Sequence, residues 1–335
     1  MSDEQLLLTE PIEKAEATPH FPVSEQLGIL AGILFLLLGT PQIANIANLF
    51  VDTDVSEEEI VAEVEQSANV YNSVFSDVRL EAQTAFVWDV KEQKALYNKN
   101  ADERWPLASI TKLMTALVAH EVMGTNAPVH VTLEAISQEG DSGFRDGETF
   151  TMQDLLDFTL VTSSNDGAYT LAAAAGGALF TTEENPVDTF VDAMNVRARE
   201  LGLSRTTFKN PTGLDISEIE SGAYGSARDV SYLMEYLVQQ YPEILERTIL
   251  EGYAIQDQSG AIYQATNTNS ITGDIPGMVA SKTGYTTLAG GNLTIAYDAG
   301  LNHPIVITVL GSSVDGRFED VETLVQAVQI LLANQ

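Results

Sequence analysis

The spacing of apolar residues changes several times along the chain, and the changes divide it. Leu27–Leu38 (LGILAGILFLLL) is almost wholly apolar and lies within 26 consecutive uncharged residues, between Glu25 and Asp52. At about 1.5 Å per residue, a helix of that length would cross a hydrocarbon layer of about 30 Å. Further on, Ala85-Phe86-Val87-Trp88 and Ala95-Leu96-Tyr97 flank a polar turn and predict a β-hairpin. From Ser109 to about Gln239 apolar positions recur at helical spacing, as in Leu113, Leu117 and Val118, or Leu155, Leu156 and Leu160. After Gly277 the period returns to that of strands, in Asn292–Tyr297 and Pro304–Leu310. Val321–Leu332 then reads as a closing amphipathic helix. Strands at both ends around a helical middle predict an α+β fold, with an antiparallel sheet from both chain ends packed on a helical region.

Four segments are expected. Residues 1–26 form an acidic tail whose single basic residue is Lys14. Residues 27–51 are expected to be a transmembrane anchor, and 52–81 an acidic stalk in which Ser56 and Glu59 make a capping-box pattern. Residues 82–335 form the folded domain. The alternatives for the apolar segment are a buried or surface helix and a cleaved signal peptide. A signal peptide would open with basic residues, however, and Ala44-Asn45-Ile46-Ala47 has the wrong spacing for a cleavage site. The anchor and signal-peptide readings both export the rest of the chain.

Charge and composition remove several classes of function. The formal net charge is −32, so phosphate backbones and anionic lipid are repelled and no nucleic-acid partner is expected. The sequence has no cysteine, which excludes disulfides, thiolate catalysis and Cys-ligated metals. His120-Glu121 opens like a zinc-helix motif, but Gly124 stands where the second ligand would fall, and no metal is expected. No Gly-x-Ser-x-Gly elbow is present. Against this acidic background there are only seven lysines, and two of them, Lys112 and Lys282, fall in candidate motifs.

The first motif is Ser109-Ile110-Thr111-Lys112, entering the apolar run LMTALVA. Positions i and i+3 share one helix face, so the lysine reaches the hydroxyl. A serine is a poor nucleophile until a base takes its proton, and lysine serves only where its own pKa is lowered. The second is Ser163-Ser164-Asn165, after the helical stretch DLLDFTLV. There a second hydroxyl can relay a proton to a leaving amine, and an amide can orient lysine and substrate. The third is Lys282-Thr283-Gly284. A cation and a hydroxyl on a strand edge can hold a carboxylate, and glycine leaves that edge open to an extended peptide. Each motif alone is weak, because helix caps, turns and hairpins produce the same tripeptides.

In this order the three make the set Ser-x-x-Lys, Ser-x-Asn, Lys-Thr-Gly of penicillin-binding proteins and serine β-lactamases. From about Ala82 to Gln335 the chain resembles the low-molecular-weight D-alanyl-D-alanine carboxypeptidases. The likeness is carried by WPLASITKLMTALVA (105–119), GETFTMQDLLDFTLVTSSNDGA (147–168), RARELGLSRTTFKNPTGLD (197–215) and MVASKTGYTTLAGGNL (278–293). The resemblance implies a serine β-lactamase/DD-peptidase-like fold and removal of the terminal D-alanine from peptidoglycan stem peptides, with no cofactor. β-Lactam antibiotics would be further ligands, and the site would lie on the extracytoplasmic face of the membrane. It implies that Ser109 is acylated, that Lys112 is the base, and that Ser163 and Asn165 relay and position. Lys282 would supply a second cation, and Thr283 would bind the terminal carboxylate. The backbone N–H groups of Ser109 and Tyr285 would form the oxyanion hole, and Arg317 is the candidate second ligand for the carboxylate.

Many members add a C-terminal β-domain and a tail helix, whereas this sequence has room for one helix after Arg317. A β-lactamase, an endopeptidase acting on cross-links, and an idle membrane-tethered binding protein are the alternatives. Glu200 lies near where class A β-lactamases place a deacylating glutamate. Its context, Arg199-Glu200-Leu201-Gly202, reads instead as a helix ending at glycine.

Overall fold

The computed structural model describes residues 74–179 and 185–334. The expected tail, anchor and capping-box helix lie outside the described residues. Strand β1 (Thr84–Asp89) and strand β2 (Lys94–Lys99) pair antiparallel across a polar turn, as their alternation predicts. Five helices follow: α1 (Lys112–Val122), α2 (Met152–Thr162), α3 (Asn165–Leu179), α4 (Pro186–Glu200) and α5 (Ala227–Gln240). The chain then forms β3 (Met278–Thr286), β4 (Gly290–Asp298), β5 (Pro304–Ser312) and a last helix, α6 (Gly316–Ala333). The main sheet has the order β3-β4-β5-β1-β2 with every pairing antiparallel, so β3 is an edge.

The sheet is buried on both faces, and β1 shows how. Phe86 and Trp88 join the larger core, with α1, α2 and α5. Ala85 and Val87 point the other way, into a second core with Val321, Leu324, Val325, Val328 and Leu331 of α6. This is the period-2 side-chain alternation of a strand. Val74, Phe75, Val78 and Leu80 pack against the second core, so the folded body reaches back ahead of Ala82.

Helix α6 begins five residues before the expected Val321, at Gly316. Its first turn carries little apolar signal because it is held by polar contacts and a close approach. A Cβ on Gly316 would lie 2.1 Å from Glu81 Oε2. Asp320 accepts from the backbone N–H groups of Glu81 and Ala82 at 2.8 Å each and from Ser312 Oγ at 2.7 Å. The helical middle also contains short strand pairs: Pro128–His130 with Thr149–Thr151, and Trp105–Pro106 and Thr207–Phe208 on either side of Ala223–Gly225. Helix α4 ends at Glu200 with Gly202 at φ +73°, so the turn after Glu200 is a glycine-terminated helix end. Among the described residues no helix is long and apolar enough to cross a membrane.

Candidate active site

Ser109 lies in a 3₁₀ turn, Ala108–Thr111, that runs directly into α1. The turn is pinned from three sides. Ala108 takes φ +48°, in the left-handed region that side chains disfavour. Behind it, a Cβ on Gly213 would lie 1.8 Å from the Ala108 carbonyl oxygen, so only glycine fits there. On the sheet side, buried Asn292 donates from Nδ2 to the carbonyls of Pro106 at 2.9 Å and Leu107 at 3.0 Å. Its Oδ1 accepts from the backbone N–H of Gly311 at 2.8 Å. Gly284 completes the enclosure: a Cβ there would meet Leu107 O at 2.9 Å and Ser109 N at 3.2 Å. The edge strand β3 thus rests directly against the serine turn.

Lys112 is fully buried. Its Nζ lies 2.8 Å from Ser109 Oγ, 2.7 Å from Asn165 Oδ1 and 2.8 Å from the Thr212 carbonyl oxygen. Asn165 is oriented for this contact, because its Nδ2 donates to the Glu139 carbonyl at 2.7 Å. Burial, and next the charge of Lys282, hold the Lys112 pKa well below the usual lysine value. Thr212 O accepts only, and Asn165 presents its acceptor oxygen, so the two consume both N–H donors of a neutral amine. The lone pair that remains faces the Ser109 hydroxyl. In that state Ser109 donates to Lys112, which is the geometry of a nucleophile with its base.

Ser163 occupies the left-handed C-cap of α2, at φ +61°, and α3 starts at Asn165. The motif thus sits at a break between two helices that turns Ser163 toward the sheet. Lys282, 1% exposed on β3, donates from Nζ to Ser163 Oγ at 3.0 Å and to the Thr283 carbonyl at 2.9 Å. Burial, and then the nearby Arg317 charge, lower its pKa to about 7. Arg317, in the first turn of α6, is 8% exposed and donates from Nη1 to the Gly284 carbonyl at 2.9 Å. Its buried Nε has no hydrogen-bond partner among the described residues. Burial lowers the arginine's pKa as well. Thr283 Oγ1 lies 2.5 Å from Thr268 Oγ1.

Ser109, Lys112, Ser163, Asn165, Lys282, Thr283, Gly284 and Arg317 therefore converge at the junction of β3 with the helical region. Tyr285, the next residue on the strand, is 55% exposed. It borders a cleft of about 570 Å³ lined also by Glu139, Asp215 and Thr286. Thr212, Thr268 and Asn292 were not picked out by motif reasoning. Thr212 and Asn292 lie within the segments 197–215 and 278–293 that carry the family likeness, which was the available signal. Thr268 lay outside all four.

The D-alanyl-D-alanine carboxypeptidase family profile matches residues 71–313. A D-alanyl-D-alanine carboxypeptidase of Bacillus subtilis is 33% identical over 244 residues, covering 71% of this chain and 59% of that protein. A D-alanyl-D-alanine endopeptidase of Escherichia coli is 30% identical over 235 residues, covering 68% of this chain and 70% of that protein. Among solved structures, penicillin-binding protein D2 of Listeria monocytogenes in its ampicillin-bound form aligns with a TM-score of 0.62. It is 29% identical, with 75% of this chain and 98% of that one covered. The fold is of the DD-peptidase type. The chain spans 59% of the length of the Bacillus relative, so only part of that protein is matched.

Proposed function

The chain belongs to the D-alanyl-D-alanine carboxypeptidase family of serine peptidases, and from that premise we propose that it removes the terminal D-alanine from peptidoglycan stem peptides through an acyl-enzyme on Ser109. The observation that carries the reading is buried Lys112, with two acceptors fixed on it and its third position against Ser109 Oγ. Ser109 Oγ attacks the carbonyl of the penultimate D-alanine as Lys112 takes its proton. The backbone N–H groups of Ser109 and Tyr285 receive the oxyanion. The proton reaches the leaving amine through Ser163, which Lys282 holds, and D-alanine departs. Water, deprotonated in turn by Lys112, hydrolyses the ester and restores Ser109. Thr283 and Arg317 take the substrate's free carboxylate.

The Listeria relative's ampicillin complex supports a β-lactam as a second acylating ligand. Incubation with labelled penicillin followed by peptide mapping should place the label on Ser109, and incubation with an acyl-D-Ala-D-Ala peptide should release free D-alanine. Label on Ser163, or no D-alanine released, would count against the assignment. A second reading, cleavage of cross-links, is favoured by relatives named endopeptidases. Turnover of a cross-linked dimer faster than of a pentapeptide would select it.

The site works outside the cytoplasm in this reading, with residues 27–51 as the membrane anchor and Lys14 on the inner side. The support is the 26-residue uncharged stretch between Glu25 and Asp52. A chain beginning ahead of Val74 should then be soluble and active, while the full chain should need detergent. A full chain soluble at its uncut mass would refute the anchor.

A further inference from the structure

The hydroxyl of Thr283 does not stand alone. It lies 2.5 Å from Thr268 Oγ1, and Thr268 belongs to none of the three motifs. Thr268 sits in the turn Asn267-Thr268-Asn269, which is held independently of its side chain. Asn267 Nδ2 donates to the carbonyls of Thr248 and Leu250 at 2.8 Å each. The backbone N–H of Asn269 donates to Asn267 Oδ1 at 2.8 Å, and that of Ile271 to Asn269 Oδ1 at 3.2 Å. The Thr268 N–H donates to the carbonyl of Val161, two residues before Ser163, at 3.1 Å. The turn therefore ties the end of α2 to β3.

A threonine hydroxyl has one proton to give, and a carboxylate can only accept. If Thr283 binds the substrate's terminal carboxylate, its proton must point at the substrate, and its oxygen is then open to accept. Thr268 is placed to fill that position. Among the described residues its only other acceptor is Val161 O, at 3.4 Å and already engaged by the Thr268 N–H. Either hydroxyl could donate across the 2.5 Å contact, but with the Thr283 proton directed at the substrate, this much shorter contact takes the Thr268 proton. A donor hydroxyl polarised in this way is a stronger donor.

We infer that Thr268 is a positioning residue for carboxylate recognition: it donates to Thr283 Oγ1 and so turns the Thr283 proton toward the substrate's free carboxylate. The inference rests on the proposed peptidase reading. Because the turn is fastened by Asn267 and Asn269, and Thr268 is exposed, Thr268→Val should fold with an unchanged Tm.

Steady-state kinetics on acyl-D-Ala-D-Ala and on its C-terminal amide, with benzylpenicillin acylation rates measured in parallel, tests the inference. Thr268→Val should raise KM for the carboxylate substrate about three- to ten-fold with kcat nearly unchanged. It should slow acylation by benzylpenicillin, which also carries a carboxylate, by a similar factor. The amide substrate should not respond, and Thr268→Ser should restore wild-type values. Equal losses on acid and amide, no loss on the acid, or failure of serine to rescue would overturn the role. If wild type releases no D-alanine yet is acylated by benzylpenicillin, the peptidase reading fails, and Thr268 is judged on the acylation rates. A wild type inert to both would overturn both.

Discussion

The two walls of the site each carry a buried lysine, and they use it differently. On the helical wall, Lys112 contacts three oxygens, two of them acceptors fixed on it by the fold. On the strand wall, Lys282 contacts two oxygens, Ser163 Oγ and the Thr283 carbonyl, and has Arg317 close enough to lower its pKa. Burial is the largest cause of the lowered pKa in both lysines and cannot distinguish them. The acceptors do. A neutral Lys112 has a lone pair directed at Ser109, and in the proposed mechanism it accepts the serine's proton. Lys282 donates to the second serine, and in the proposed mechanism it lends charge to the substrate side. Residue type and burial set the range of possible roles, and the partners brought by other segments choose among them.

The largest effect should come from abolishing the base. Lys112→Ala should lower kcat/KM by about 10⁴-fold or more, the upper end of general-base contributions. Labelled penicillin should then acylate Ser109 correspondingly slowly. A loss of under ten-fold would mean that another group takes the proton and that the contrast between the lysines is misdrawn.

Lys282→Ala should cost less, about 10²- to 10³-fold, because Ser163 can still relay through water while the charge and its orientation are lost. The pH dependence should separate the walls. A base must be neutral, so activity rises with pH through the lowered pKa of Lys112. A donor must be charged, so activity falls as pH rises through about 7, where Lys282 loses its proton. The product is a bell-shaped profile of kcat/KM. Replacing Lys282 by arginine should remove the alkaline fall while leaving the acid limb. Persistence of that fall in Lys282→Arg would assign it to another group.

Arg317→Ala should have the smallest effect of the three, a loss of about 10- to 150-fold, the worth of one charge-assisted contact. It should be confined to substrates with a free C-terminal carboxylate. Since Arg317 also holds the Gly284 carbonyl, equal losses on acid and amide substrates would make it a brace for β3 and not a reader of the carboxylate.

Much of the architecture was legible because burial leaves a period. The β1–β2 hairpin, the helical middle and strands β4 and β5 followed from apolar spacing. Strand β3 was harder to read, because the residues it buries include Ser281, Lys282 and Thr283. A strand that lines an active site shelters polar groups, and the apolar alternation fails where the chemistry is. The start of α6 was hidden for a related reason: its first turn is secured by Gly316, Arg317 and Asp320 through specific contacts. Thr212, Thr268 and Asn292 left no pattern, since each acts through one carbonyl, hydroxyl or amide whose partner is remote in sequence.

What the sequence determined by itself was the chemical inventory. Ser109 and Lys112 at i and i+3 must share a helix face, and three motifs in one order make the set of penicillin-binding proteins and serine β-lactamases. What only the tertiary structure decided was the set of surroundings that lower the lysine's pKa. The acceptors on Lys112 come from Asn165 and Thr212, 53 and 100 residues away. The cation that further lowers its pKa lies on the opposite wall. Local spacing can put an amine beside a hydroxyl. Only distant segments packed around that amine can exclude water and occupy its donors, and that is what the proposed base requires.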